Sequence, residues 1–151
     1  MDERIKNLEI RGIKAEDASD IGKIQSAITT KSPATIDFRH IIEEQVRKDE
    51  DASFVAVIDG KVVGYMISYI IFGGFGLEKS AWIATLGVDP KFMGQGIGKK
   101  LAEEIQAVYQ EKGINDIYTS VRWDSVDLLS FFKTLGFDRS NFINLRKVLN
   151  P

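Results

Sequence analysis

The chain has 151 residues, 20 basic and 22 acidic, for a formal net charge of −2 with its one histidine neutral. That length suits one domain, 44% apolar residues supply a core and exclude a disordered chain, and the near-neutral balance leaves no electrostatic footprint for nucleic acid. The lack of cysteine excludes a disulfide scaffold, a thiolate metal site and a cysteine nucleophile, and the single histidine, His40, leaves no histidine pair for zinc, so no metal is expected. Leu8, Ile10 and Gly12 alternate with Glu9, Arg11 and Ile13, which predicts a first strand. Ala15-Glu16-Asp17 opens a helical pattern with Ile21, Ile24 and Ile28 on one face, capped by Asp17 or Ser19. Pro33 marks a break, and a second helix follows Thr35 with Phe38, Ile41, Ile42 and Val46 at helical spacing. Ser53 to Ile58 reads as a strand, Asp59-Gly60 as a hairpin turn and Lys61 to Phe72 as the returning strand. A glycine loop follows, and then a strand from Ala81 to Val88, stopped by Asp89-Pro90. Gly94 to Gly98 leads into a helix with Leu101, Ile105 and Val108 inward, ended by Gly113. Ile117 to Val121 is a strand, Asp124 or Ser125 caps a last helix through Leu135, and Phe137 to Leu149 supplies one or two terminal strands.

The order β-α-α-β-β-β-α-β-α-β predicts an α/β (α+β) architecture. One domain over residues 1–151 would hold a mixed sheet of about six to seven strands flanked by about four helices. The first residues lack the apolar core of a signal peptide. The longest apolar stretch, Val62 to Phe75, is broken by Gly64, Ser68, Gly73 and Gly74 and is too short to span a bilayer. A cytoplasmic protein with no membrane partner is expected, monomeric or homodimeric.

The informative segment runs from Val88 to Leu101, between a strand and a helix. Gly94, Gly96 and Gly98 let the backbone turn tightly and let a ligand approach with no Cβ in the way. The first helical amides have no partner within the helix and point together, an arrangement that suits a phosphate. A P-loop is excluded: Lys100 stands where a Ser or Thr belongs after Lys99, and Met93 where the first glycine belongs. A dinucleotide fingerprint is weak, since Lys99 stands at its third small position. The alternative is a plain strand-to-helix turn, which needs only one or two glycines.

Met93-Gly94-Gln95-Gly96-Ile97-Gly98 resembles the acetyl-CoA signature of the GNAT family of N-acetyltransferases: Arg or Gln, two residues, Gly, one residue, then Gly or Ala. Leu135-Gly136-Phe137 behind a helix resembles that family's Tyr-x-x-x-Gly-Phe ending, and the order of elements agrees from Leu8 to Leu149. Thr119-Ser120-Val121-Arg122 and Val88-Asp89-Pro90 look most like the ribosomal-protein N-terminal acetyltransferases. The resemblance implies an acetyl-CoA-dependent N-acetyltransferase domain that moves an acetyl group directly to a primary amine, in the first place that of a protein or peptide. The alternatives are a small-molecule amine, a longer acyl chain, or a CoA-binding regulatory module with weak turnover.

The family implies that the amides of Met93, Gly94, Gln95, Gly96, Ile97, Gly98 and Lys99 hold the CoA pyrophosphate, with Met93 in place of the usual Arg or Gln. It also implies a bulged strand over Leu86, Gly87 and Val88 whose main chain pairs with the pantetheine arm like an added strand, the Leu86 N–H facing the thioester oxygen. Such a fixed donor is worth about 2.7–4 kcal/mol in other systems. The side chains of Leu86 and Val88 are equally expected in the core.

Three positions depart from the family. Phe132 stands where a tyrosine often serves as general acid, Ser125 where an asparagine often holds pantetheine or a water, and Ser120 where the N-terminal acetyltransferases carry a glutamate base. Phe132 and Ser125 are kept as cofactor-side residues. Glu78, Ser120 and Asp124 remain as candidates for a base, against a solvated loop charge for Glu78 and a helix cap for Asp124. His40, Glu43 and Glu44 are expected on exposed helix faces. The Gly73-Gly74-Phe75-Gly76 loop is the expected acceptor entrance; Tyr65, Tyr69, Phe72, Trp82 and Trp123 are either core or acceptor contacts.

A missing acid matters less than a missing base. The leaving thiol has a pKa of about 8.5 and departs tolerably as thiolate. Lysine, at about 10.4, is neutral in only about 1 molecule in 2,500 at pH 7, a deficit near 4.6 kcal/mol, whereas an α-amino group at about 7.7–8 loses only about 1.4 kcal/mol or less. A site without a base therefore favours an amine of low pKa.

Overall fold

The computed structural model describes residues 5–28, 38–47, 52–72 and 78–150. The expected acceptor loop, Gly73, Gly74, Phe75 and Gly76, lies outside the described residues, as do the break at Pro33, Thr35 and the side chains of Phe38 and Val46. The chain divides into two compact units, Met1–Thr119 and Ser120–Pro151. The first holds β1 (Leu8–Gly12), α1 (Ala18–Ile28), α2 (Phe38–Arg47), β2 (Phe54–Ile58), β3 (Lys61–Ile71), β4 (Ser80–Val88), α3 (Ile97–Glu111) and β5 (Ile117–Thr119); the second holds α4 (Val126–Thr134). No described helix is long and apolar enough to cross a membrane.

The five strands lie in the order β1-β2-β3-β4-β5, the first four antiparallel neighbours and β5 parallel to β4. The β2–β3 hairpin closes at Asp59 and Gly60, both with positive φ (50° and 79°), the backbone a two-residue hairpin turn demands. Asn7 Nδ2 donates to Asp59 Oδ1 at 3.0 Å and holds that turn.

Alternation along β3 sorts the layers. Tyr65 and Ile67 join Ile21 and Ile24 of α1, Ile42 of α2 and Val55 and Val57 of β2 in one buried cluster. Gly64 and Ser68 face α3 instead: a Cβ at Gly64 would stand 3.1 Å from Ile97 Cγ2, and Ser68 Oγ bonds Tyr109 Oη at 2.7 Å. The helical spacing predicts Val108 inward, yet Val108 is half-buried and Tyr109 is fully buried. Its hydroxyl explains this, because Ala52 N–H donates to it at 3.0 Å and Ser68 Oγ also reaches the Ala52 carbonyl. A buried hydroxyl so satisfied is no burden to the core.

Asp17 does not cap α1 as its position suggests. It ends a short 3-10 turn, Ala15–Asp17, and is buried, taking both Arg11 guanidinium nitrogens at 2.9 Å and the Lys14 N–H at 2.8 Å. Burial pushes its pKa up, but the Arg11 and Lys14 hydrogen bonds outweigh it and leave the carboxyl below its ordinary value. A carboxyl depressed in the folded state adds stability above its unfolded pKa of about 3.9 and loses it as pH falls through the folded pKa. Asp17→Asn is therefore expected to cost about 1.5–3 kcal/mol at pH 7. In thermal melts the gap to the wild type should close below about pH 4.

The expected mixed sheet with four helices is present with a lower strand count. Phe137 to Leu149, expected to give one or two strands, forms none among the described residues. Strand backbone persists only where a neighbouring strand takes its N–H and C=O groups, and no described ladder pairs this run. Phe142, Ile143, Leu145 and Leu149 stand exposed along it.

Candidate active site

The glycine loop has the geometry that phosphate binding asks for. Asp89 shapes its entrance, its N–H donating to the Val63 carbonyl at 2.8 Å while its carboxylate takes the Lys91 N–H at 3.0 Å. After the short turn Pro90–Phe92, Gly94 and Gly96 both adopt left-handed backbone, with φ of 79° and 81°. Gly96 is the N-cap of α3 and has no side chain to cover the first-turn amides. The first helical bond is Lys100 N–H to the Gly96 carbonyl at 3.1 Å. The amides of Ile97, Gly98 and Lys99 thus lie in the first turn, ahead of any helical acceptor. The helix dipole and the exposed Lys91 and Lys99 give the loop positive potential. Such a cradle can take a diphosphate.

β4 feeds into this loop and has one edge open. β5 pairs with it only at Ala81–Ile117, Trp82–Tyr118 and Ile83–Thr119, and Thr119 Oγ1 donates to the Ile83 carbonyl at 2.9 Å where the ladder stops. From Ala84 to Val88 no described strand pairs with that edge, while β3 holds the other edge through Gly64–Val88. The expected bulge over Leu86, Gly87 and Val88 lies earlier. The register steps from Ile67–Thr85 to Ser68–Ile83, which makes Ala84 the extra residue and leaves Leu86 to Val88 in regular pairing with β3. The bulge falls where β5 leaves, because there β4 is free to bend. Leu86 and Val88 are half-buried and Gly87 is buried. A Cβ at Gly87 would stand 2.7 Å from Tyr65 Cε1 and 3.1 Å from Ile28 Cδ1, so that face of β4 is closed by a ring.

The Acetyltransferase (GNAT) family matches residues 19–137, most of the chain. The chain belongs to the GNAT acetyltransferase family. As a GNAT member it is an acetyl-CoA-dependent N-acetyltransferase, with acetyl-CoA as co-substrate. Solved structures share the fold at low identity. An aminoglycoside acetyltransferase from an uncultured soil metagenomic sample, in complex with sisomicin, is 22% identical with a TM-score of 0.76, covering 98% of this chain and 100% of that one. The aminoglycoside N-acetyltransferase AAC(6')-Iy in complex with CoA is 18% identical with a TM-score of 0.79, covering 99% and 100%. The same enzyme with the bisubstrate analogue CoA-S-monomethyl-acetylneamine is 21% identical with a TM-score of 0.76, covering 93% and 98%. These neighbours are aminoglycoside enzymes rather than the ribosomal-protein N-terminal acetyltransferases that Thr119 to Arg122 resemble.

In this GNAT chain one candidate base, Asp124, is held in an ion pair. Asp124 does not cap α4: the N-cap is Ser125, without a side-chain cap bond, and Asp124 instead takes Arg122 Nε and Nη2 at 2.9 Å each. That hydrogen bond holds its carboxyl below the usual range, the wrong direction for a base at neutral pH. The Ser120 hydroxyl is exposed and accepts from Asn144 Nδ2 at 3.1 Å. Glu78 is exposed and its carbonyl accepts from Ser80 Oγ at 2.8 Å. His40 and Glu43 are exposed and Glu44 half-buried on α2. Within the second unit Phe132 is buried, edge-on to Phe131 at 5.2 Å and to Phe137 at 5.1 Å. Among the aromatics, Tyr65 is core, Tyr69 and Trp82 are half-buried, and Trp123 and Phe72 are exposed, with Lys79 Nζ 5.4 Å from the Phe72 ring centre.

Proposed function

We propose that the chain binds the CoA diphosphate through the amides of Met93, Gly94, Gln95, Gly96, Ile97, Gly98 and Lys99. On this reading the pantetheine arm lies along the open edge of β4 at Leu86, Gly87 and Val88. One observation carries it: within a single strand–loop–helix unit, two left-handed glycines open the α3 N-terminus beside the stretch of β4 that β5 leaves unpaired. Acetyl-CoA supplies the acetyl thioester. The chain supplies a fixed main-chain donor, the Leu86 N–H, toward the thioester oxygen. Met93 contributes its amide but no polar side chain. By the family's sequence pattern Ser125 and Phe132 match its pantetheine and acid positions, and a phenylalanine in place of the acid leaves the thiolate to depart without a proton.

The acceptor is a primary amine. A small polyamine of the aminoglycoside class is proposed first, supported by the acceptors named for structures that share this fold. The second reading, a peptide or protein α-amine, is favoured by the ion pair that occupies Asp124, since a site without a base works best on an amine of low pKa. Both readings predict that kcat/KM rises with pH along the acceptor's own ionisation. Thiol release from acetyl-CoA, read with a thiol reagent on a protein that has no cysteine of its own, gives this profile cleanly. Neamine and a peptide with a free N-terminus should show apparent pKa values that differ as the two amines differ. One shared pKa for both acceptors would reveal an enzyme base and overturn the base-free reading.

A further inference from the structure

Tyr65 is fully buried. It is the cross-strand partner of Gly87, and Ile67–Thr85 is the next paired position on that face. The ring covers Gly87 so closely that a Cβ there would stand 2.7 Å from Cε1 and 3.1 Å from Cζ. The hydroxyl donates to Gln25 Oε1 of α1 at 2.7 Å. One side chain therefore packs on β4 at Gly87, beside Leu86, and ties that position to α1. This stretch needs such support. It follows the Ala84 bulge, and among the described residues no strand pairs with its edge on the β5 side to stiffen it.

We propose that Tyr65 is a positioning residue for acetyl transfer: its ring on Gly87 and its hydroxyl on Gln25 hold the stretch Thr85–Gly87 where the Leu86 amide meets the thioester carbonyl. This rests on the role of Leu86 given under the proposed function. Tyr65 touches neither acetyl group nor amine and acts through β4.

The test is difference infrared spectroscopy of acetyl-CoA carrying a 13C carbonyl, bound to the wild type and to Tyr65→Phe with no acceptor present, so that acceptor identity plays no part. Tyr65→Phe keeps the ring and removes only the hydroxyl. In the wild type the carbonyl band should lie below its solution frequency. In the variant it should move back toward that frequency, and thiol release to solvent should slow about tenfold, with the KM for acetyl-CoA changed less than about twofold. Should Tyr65→Phe fail to fold, Gln25→Leu breaks the same contact from α1, and the same band displacement is expected. An unchanged band in the folded variant overturns the proposal and leaves the site reading standing. A wild-type band at the solution frequency removes the Leu86 donor, and no wild-type binding removes the CoA site; either overturns the clamp along with the reading beneath it.

Discussion

Gly87→Ala is expected to lower the melting temperature by roughly 2–12 °C and to cut acetyl transfer more than the lost stability explains. The added methyl would stand 2.7 Å from Tyr65 Cε1, closer than real Cβ contacts come. That ring is no flexible tip: it is buried and its hydroxyl is held by Gln25. Ile28 Cδ1, at 3.1 Å, blocks a second direction. Overpacking of this kind costs about 1–3 kcal/mol, and here the strain falls on the strand that meets the thioester. Gly22→Ala is the matched control. Nothing lies within 4 Å of a Cβ at Gly22 in α1, so the same chemical change should stabilise by about 0.5–1 kcal/mol. Melting curves and acetyl-transfer rates of the two variants check the contrast.

Gly96→Val is expected to weaken CoA binding about five- to thirtyfold while circular dichroism stays near that of the wild type. Gly96 has φ of 81° with nothing within 4 Å of a built Cβ, so space does not oppose a side chain and backbone does. An L-residue in left-handed backbone costs about 1–2 kcal/mol, and a β-branched one more. The free variant escapes that cost by relaxing the loop, which turns the first α3 amides out of the cradle, and binding must then restore the strain. About 1–2 kcal/mol corresponds to the stated factor. Met93→Ala separates main-chain from side-chain grip. Met93 is exposed and apolar, so its truncation should change CoA affinity less than about twofold. Calorimetric titration with CoA measures both.

The parts of the fold that depend on neighbours in sequence were legible, and those that depend on partners far along the chain were not. Asp59-Gly60 reads as a hairpin turn because its chemistry is local, and both residues do hold positive φ. The loop from Asp89 to Gly98 reads as an opened helix start for the same reason. The bulge is different. Its place at Ala84 follows from the register of β4 against β3 and from where β5 stops, which no pattern within β4 reports. Asp124 has the position of a helix cap, but the backbone turn at Trp123-Asp124 brings it to Arg122 instead. Asp17 likewise meets Arg11 of β1 before any helical amide. Phe137 to Leu149 has strand composition without a described ladder. Tyr65 reads as an ordinary core aromatic; only the pairing with Gly87 and the reach to Gln25 give it further meaning.

Calorimetric titration of the wild-type protein with CoA tests the central claim most directly. One saturable site with a Kd on the order of micromolar, lost or strongly weakened in Gly96→Val and kept in Met93→Ala, is the predicted result. No heat of binding in the wild type, or an affinity that Gly96→Val leaves unchanged, would contradict it.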